Sequence, residues 1–313
     1  MKQEITYKSQ DGITDIHAVI WTPSTPVKAI LQISHGMIEH IRRYDNLANE
    51  LNKHGILVCG NDHLGHGYSI IDKDHYGYFA EKNADSILID DLYTLTLEMK
   101  KNYPNVPYFL LGHSMGSFIA RNYLAKYGQE LNGALIVGTG YHSSLKMTGA
   151  KILTAIIQFY KRGWFYRSKY IENKTNGHYY KYFENNTNHN CWLTNDKTVI
   201  LDYENDPKTQ FRFTCNGYYT IFTLIKNANK NYKTIDKNLP IILLAGKDDP
   251  VGNFGKDIQK IYDDYKKQGL NVKMKIYNNM RHEIINELNK IIVYNDIINS
   301  INDNISKENT LNQ

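Results

Sequence analysis

A chain of 313 residues with 42% hydrophobic and 22% charged residues lies in the ordinary globular range, too apolar to stay disordered and large enough to bury about three quarters of its unfolded surface. Its 37 basic and 32 acidic residues give a formal charge of +5, and the lysines are scattered rather than blocked, so no nucleic-acid footprint stands out and only a weak attraction to anionic lipid surfaces is left. Cys59, Cys191 and Cys215 lack C-x-x-C spacing, which argues against a disulfide framework or a zinc site; with a polar N-terminus and no apolar run of membrane-spanning length, a cytoplasmic location is expected.

In chain order, residues 4–7 and 16–21 flank Ser9-Gln10-Asp11-Gly12, whose Asp-Gly step favours a hairpin turn, so an antiparallel pair opens the fold. Short apolar runs follow at 29–33, 56–59, 108–111, 134–137, 241–244 and 272–276, each the length of a buried strand. Stretches of helical length, 44–54, 84–101, 115–127 and 254–267, separate most of them. This alternation predicts an α/β class with a mostly parallel sheet and helices on both faces. It breaks over 141–232, which is rich in Tyr, Asn and Lys. Long structureless connections are rare in compact domains, so this stretch is expected to be an inserted helical cap, with 1–140 and 233–304 forming the core and 305–313 a disordered tail.

Gly112-His113-Ser114-Met115-Gly116 directly follows the strand run 108–111 and precedes a helical segment. That context makes Ser114 a candidate nucleophile, because a sharp strand-to-helix turn lifts the hydroxyl above the sheet and has room only for glycine on either side. A serine needs a base, and His282 is placed for it, after the last strand run and a short polar turn. His113 sits too close to the serine, and His63 and His66 follow an early strand; their H-x-x-H spacing lacks an obvious third metal ligand. A carboxylate is needed to fix the imidazole tautomer, and Gly246-Lys247-Asp248-Asp249-Pro250 follows the penultimate strand. Asp249 is preferred, with Asp248 as a turn former. The backbone N–H groups of Met115 and Met37 stand where an oxyanion would be received.

Four motifs together resemble the monoacylglycerol lipase and lysophospholipase-like branch of the α/β hydrolases, often labelled serine aminopeptidase domains. They are His35-Gly36-Met37-Ile38-Glu39-His40 with Arg43-Tyr44, Asn61-Asp62-His63-Leu64-Gly65-His66-Gly67-Tyr68-Ser69, residues 112–116, and Met280-Arg281-His282-Glu283. The insert resembles the family's cap through Trp192-Leu193-Thr194-Asn195-Asp196 and through Asp206-Pro207 ahead of Phe213-Thr214. The resemblance implies an α/β-hydrolase fold, a triad of Ser114, Asp249 and His282, and oxyanion donors at Met37 and Met115; it also favours Asp249 over Asp248. Ser117 stands where the family often has a second glycine.

The expected activity is carboxylic ester hydrolysis through an acyl-enzyme on a single-chain lipid, a monoacylglycerol or a lysophospholipid, with no cofactor and no metal. An aminopeptidase would need an anionic site for the substrate amine, for which Glu184, Glu204 and Asp206 are the candidates in the insert. A non-catalytic binding protein on the same fold is the third reading. Ile152, Leu153, Ile156, Ile157 and Tyr160 recur at helical spacing with Lys151, Lys161 and Arg162 nearby. They are expected to line an acyl pocket or to meet the inner face of a membrane, against the plain alternative of core packing.

Overall fold

The computed structural model describes residues 1–184 and 187–311. Eight strands form one sheet: β1 (Lys2–Lys8), β2 (Asp15–Trp21), β3 (Ala29–Ser34), β4 (Ile56–Asn61), β5 (Tyr108–His113), β6 (Gly133–Val137), β7 (Ile241–Gly246) and β8 (Val272–Tyr277). Between and after them run α1 (Asp45–Asn52), α2 (Ala84–Asn102), α3 (Met115–Tyr127), α4 (Ser144–Tyr160), α5 (Lys169–Thr175), α6 (Lys197–Asn205), α7 (Cys215–Asn231), α8 (Lys256–Gln268) and α9 (Lys290–Leu311). The strand order is β1-β2-β4-β3-β5-β6-β7-β8. β1 pairs antiparallel with β2 and β2 with β4, and every later pairing is parallel. This is the α/β-hydrolase arrangement that the motifs imply.

The central strands read as continuous apolar runs because both faces of the sheet are covered. Successive residues alternate between two cores: Ile30, Leu57, Tyr108 and Leu110 join one cluster, and Leu31, Val58, Phe109 and Leu111 join the other. The first cluster packs under α2, α3, α7 and α8; the second packs under α1 and α9. The chain leaves β3 toward β4 on one side and returns to β5 on the other. A crevice opens at the carboxyl ends of strands where the order reverses in this way, so the loops after β3 and β5 are set side by side there.

The stretch 141–232 lies between β6 and β7 and supplies α4 to α7. Its last helix is part of the sheet's cover: Tyr218, Phe222, Leu224, Ile225 and Ala228 of α7 are buried in the first cluster with Ile119 and Tyr123 of α3. The tail expected at 305–313 begins inside α9, which continues to Leu311; residues 312 and 313 lie outside the described residues, as do Asn185 and Asn186 of the insert.

Candidate active site

Ser114 ends the turn between β5 and α3 with φ 53° and ψ −119°, a backbone conformation that costs a non-glycine residue on the order of 1–3 kcal/mol and persists only where its surroundings enforce it. The glycines around it are dictated by close approach. A Cβ on Gly116 would stand 2.5 Å from the carbonyl oxygen of His35, and one on Gly112 would stand 2.5 Å from that of Gly116. α3 can therefore begin directly against the end of β3 only with glycine at both positions.

The three candidate triad residues come from three separate loops and meet. Ser114 Oγ lies 2.8 Å from His282 Nε2, and His282 Nδ1 lies 3.0 Å from Asp249 Oδ2. Asp249 is fully buried, and its second oxygen accepts the N–H of Val251 at 2.8 Å. A carboxylate only accepts, so the imidazole proton sits on Nδ1 and Nε2 is free to receive the serine O–H. Asp248, the alternative, uses its own N–H on the carbonyl of Met280 and does not reach the ring. The arrangement can move a proton from serine to imidazole while the carboxylate steadies the charge that develops.

Met37 and Met115 both border the space in front of Ser114. Met115 is the first residue of α3, where the leading N–H groups have no partner inside the helix and carry the positive end of its dipole. Met37 follows Gly36, whose N–H is held by the Glu39 carboxylate.

A buried ion network lies beside the candidate triad, built from residues of the first, third and last motifs to which the sequence alone assigns no role. Arg43 donates to Glu39 at 3.0 Å and to both oxygens of Glu283 at 2.8 and 2.7 Å. Glu39 also accepts from Tyr44 Oη at 3.0 Å and lies 3.2 Å from His113 Nδ1. Burial raises both carboxylates, but the contacts outweigh it: His113 and Arg43 drive Glu39 well below the carboxylate range, and Arg43 lowers Glu283. Burial likewise lowers His113, yet the hydrogen bond and charge of Glu39 leave it raised. The network ties the loop after β3, the residue before Ser114 and the residue after His282 into one unit. Sequence separations of up to 240 residues leave no local signal of it.

Ser114 and His282 open into a cavity of about 750 Å³, inside the range of small-molecule sites. Its walls are largely apolar, with Phe118, Met147, Leu153, Ile171, Phe222 and Ile225 among them. Of the five insert residues expected at the pocket, Leu153 lines it. Ile152, Ile156 and Tyr160 do not: they are exposed to solvent, and Ile157 packs half-buried against the core. The helical period decides this, since Met147, Ala150 and Thr154 share the inward stripe while Leu145, Ile152, Ile156 and Phe159 share the outward one.

The three insert carboxylates named for an amine-binding site lie away from the cavity, whose bordering carboxylates are Glu39, Asp257 and Glu283. Glu204 accepts from Asn188 and Asn190, Asp206 is 2.6 Å from His40, and neither they nor Glu184 border the cavity among the described residues. His63 and His66 do meet a third histidine, His35, with ring centroids 4.4 and 5.2 Å from it. Both nitrogens of His35 are already used, one facing the carbonyl of Gly36 and the other accepting the N–H of His63. No group of three or more potential ligands among the described residues is placed to hold a metal ion.

The chain is similar to known proteins. A family described as serine aminopeptidase, S33 matches residues 25–289. A monoglyceride lipase homolog of Monkeypox virus is 28% identical over 285 residues, covering 88% of this chain and 89% of that protein. The monoglyceride lipase of Rattus norvegicus is 34% identical over 143 residues, under half of either chain at 44% and 45%. Among solved structures, a highly thermostable carboxyl esterase from Bacillus coagulans, in complex with glycerol, superposes with a TM-score of 0.89 at 29% identity, covering 97% of this chain and 99% of that one.

Proposed function

The chain belongs to the serine aminopeptidase S33 family of hydrolases, and from that premise we propose that it is a serine carboxylic ester hydrolase acting through an acyl-enzyme on single-chain lipid esters, a monoacylglycerol or a lysophospholipid. The observation that carries this reading is the alignment of Asp249, His282 and Ser114, the last two bordering a largely apolar cavity. Ser114 attacks the ester carbonyl while His282 takes its proton. The oxyanion is received by the N–H groups of Met37 and Met115, and His282 returns the proton to the leaving alcohol. Water then repeats the sequence on the acyl-enzyme and frees the acid. The carboxyl esterase and monoglyceride lipase likenesses support ester rather than peptide cleavage.

Hydrolysis of p-nitrophenyl esters from acetate to palmitate tests the lipid part of the reading. Turnover is expected to peak at medium or long acyl chains, because most of the cavity wall is apolar. Cleavage of acetate alone would defeat the single-chain lipid assignment. Turnover of an aminoacyl amide without turnover of any fatty ester would move the aminopeptidase reading ahead.

The insert ahead of α7 is read as a lid that also meets a lipid surface. No helix among the described residues is long and apolar enough to cross a membrane. The outer face of α4 nevertheless carries Leu145, Ile152, Ile156, Phe159 and Tyr160 in the open, with Phe159 75% and Tyr160 76% exposed. Lys151, Lys161 and Arg162 lie in and just after the same helix, and 141–232 holds thirteen Lys and Arg against six Asp and Glu. An apolar stripe edged with cations suits weak docking on anionic lipid. Co-sedimentation with anionic vesicles at low salt is expected, and Phe159→Glu is expected to weaken it several-fold; wild-type protein that stays wholly in the supernatant would refute the docking.

A further inference from the structure

The insert is fastened to the loop that carries His282. The backbone N–H of His282 donates to the carbonyl of Trp192 at 3.4 Å, and that of Glu283 donates to Leu193 at 2.7 Å. Arg281 reaches across with its guanidinium to the carbonyl of Cys191. Glu287, 2% exposed, joins the two segments directly: its carboxylate accepts the N–H of Arg281 at 2.9 Å and the backbone and side-chain N–H groups of Asn195 at 3.1 Å each. Over this clasp the Trp192 ring lies on the imidazole of His282, centroids 5.2 Å apart and planes tilted by 38°. Tyr179 backs the indole at a centroid distance of 5.2 Å.

We propose that Trp192, held in place by Glu287, is a positioning residue for the base, so that the segment 191–195 of the insert is a fixed part of the active site. The proposal rests on the reading of His282 as that base. When Nε2 takes the proton of Ser114 the ring becomes a cation, and it does so within the distance of about 6 Å at which an aromatic face attracts one. The neutral resting ring gains nothing comparable, so the contact is worth most in the transition state and its loss appears in kcat. The indole also keeps water off one side of the ring. Glu287 touches neither substrate nor imidazole; it keeps Arg281 and Asn195 together and thereby sets where the indole sits.

The test uses p-nitrophenyl octanoate, with active sites counted by a fluorophosphonate probe. Glu287→Gln keeps the shape but turns an amide N–H toward donors. Its kcat per titrated site is expected to fall about tenfold with KM within about twofold. Trp192→Ala is expected to lower kcat at least as much, and Trp192→Phe to restore most of it. Because Trp192 also borders the cavity, its variants are read on kcat. A Glu287 that only stabilises the fold would reduce the fraction of protein that titrates and leave kcat per site unchanged, which would overturn the proposal. So would a Trp192→Ala enzyme with wild-type kcat, whatever becomes of the Glu287 variant. A wild type inert to both ester and probe would overturn the functional reading and the proposal with it; an active wild type with unaltered variants overturns the proposal alone.

Discussion

Replacing Ser114 with alanine is expected to lower kcat for a fatty p-nitrophenyl ester by about 10⁴-fold or more while leaving KM and thermal stability nearly unchanged. The serine hydroxyl is the only group at the floor of the cavity that stands 2.8 Å from an imidazole nitrogen among the described residues, so no neighbour inherits its part. His282→Ala is expected to cost as much as Ser114→Ala, and the double variant little more than either, because a hydroxyl without its base and a base without its hydroxyl are equally idle. Asp249→Asn is the finer probe. An amide would donate where the carboxylate accepts, so the ring would present its N–H to Ser114, and a loss of about 10⁴-fold is expected from the wrong tautomer alone. Steady-state kinetics on the four variants checks this. A Ser114→Ala enzyme retaining more than about a tenth of wild-type kcat would remove Ser114 from the chemistry.

Each buried histidine that burial lowers is expected to take stability from the fold in mild acid. Burial pushes His63 down to about 3 and His66 down to about 4, and takes His35 well below its usual value. A histidine lowered in this way binds fewer protons folded than unfolded. Its contribution to stability is therefore complete above the unfolded value of about 6.5 and drains as pH falls toward the folded one. Between pH 7.5 and pH 5, His63 and His66 together are expected to cost about 4 kcal/mol. His17, His113 and Asp91 are raised, Asp91 by burial to about 7, so each binds more protons folded than unfolded in this range and together they offset much of the loss. The discriminating variant is His66→Phe. His66 is surrounded by the rings of Phe79, Phe211 and Phe213, and its Nε2 has no partner, so phenylalanine suits the site and removes one titrating group. Urea unfolding at the two pH values is expected to show a pH-induced loss smaller by about 2 kcal/mol in the variant. Equal losses in both proteins would show that His66 does not stay neutral in the fold.

Much of this molecule is legible in its sequence, for reasons that differ by element. The inner strands announce themselves because a sheet buried on both faces demands continuous apolar runs, as in residues 108–111 and 241–244. Ser114 is legible because the elbow needs Gly112 and Gly116 at fixed offsets, and His282 because it follows the last strand. The apolar residues of α4 are only partly legible, for an equally physical reason. A 3.6-residue period shows that a helix has an apolar stripe but not which neighbour the stripe meets, and here Leu153, though partly exposed, borders the cavity while Ile152, Ile156 and Tyr160 do not. Nor does any periodicity announce that α7, at the end of a Tyr- and Asn-rich stretch, belongs to the sheet's cover. The Arg43 network and the clasp between Trp192 and His282 depend on residues 90 to 240 positions apart, and only the fold brings them together.

The proposed mechanism requires a covalent acyl group on Ser114, and that intermediate can be seen directly. Wild-type protein mixed with p-nitrophenyl laurate, quenched in acid within the first turnovers and weighed intact, is expected to gain the mass of one lauroyl group, and fragmentation should place it on the peptide containing Ser114. An acyl group on another residue, or steady hydrolysis with no acylated protein at any quench time and no burst of p-nitrophenol, would contradict the serine acyl-enzyme reading.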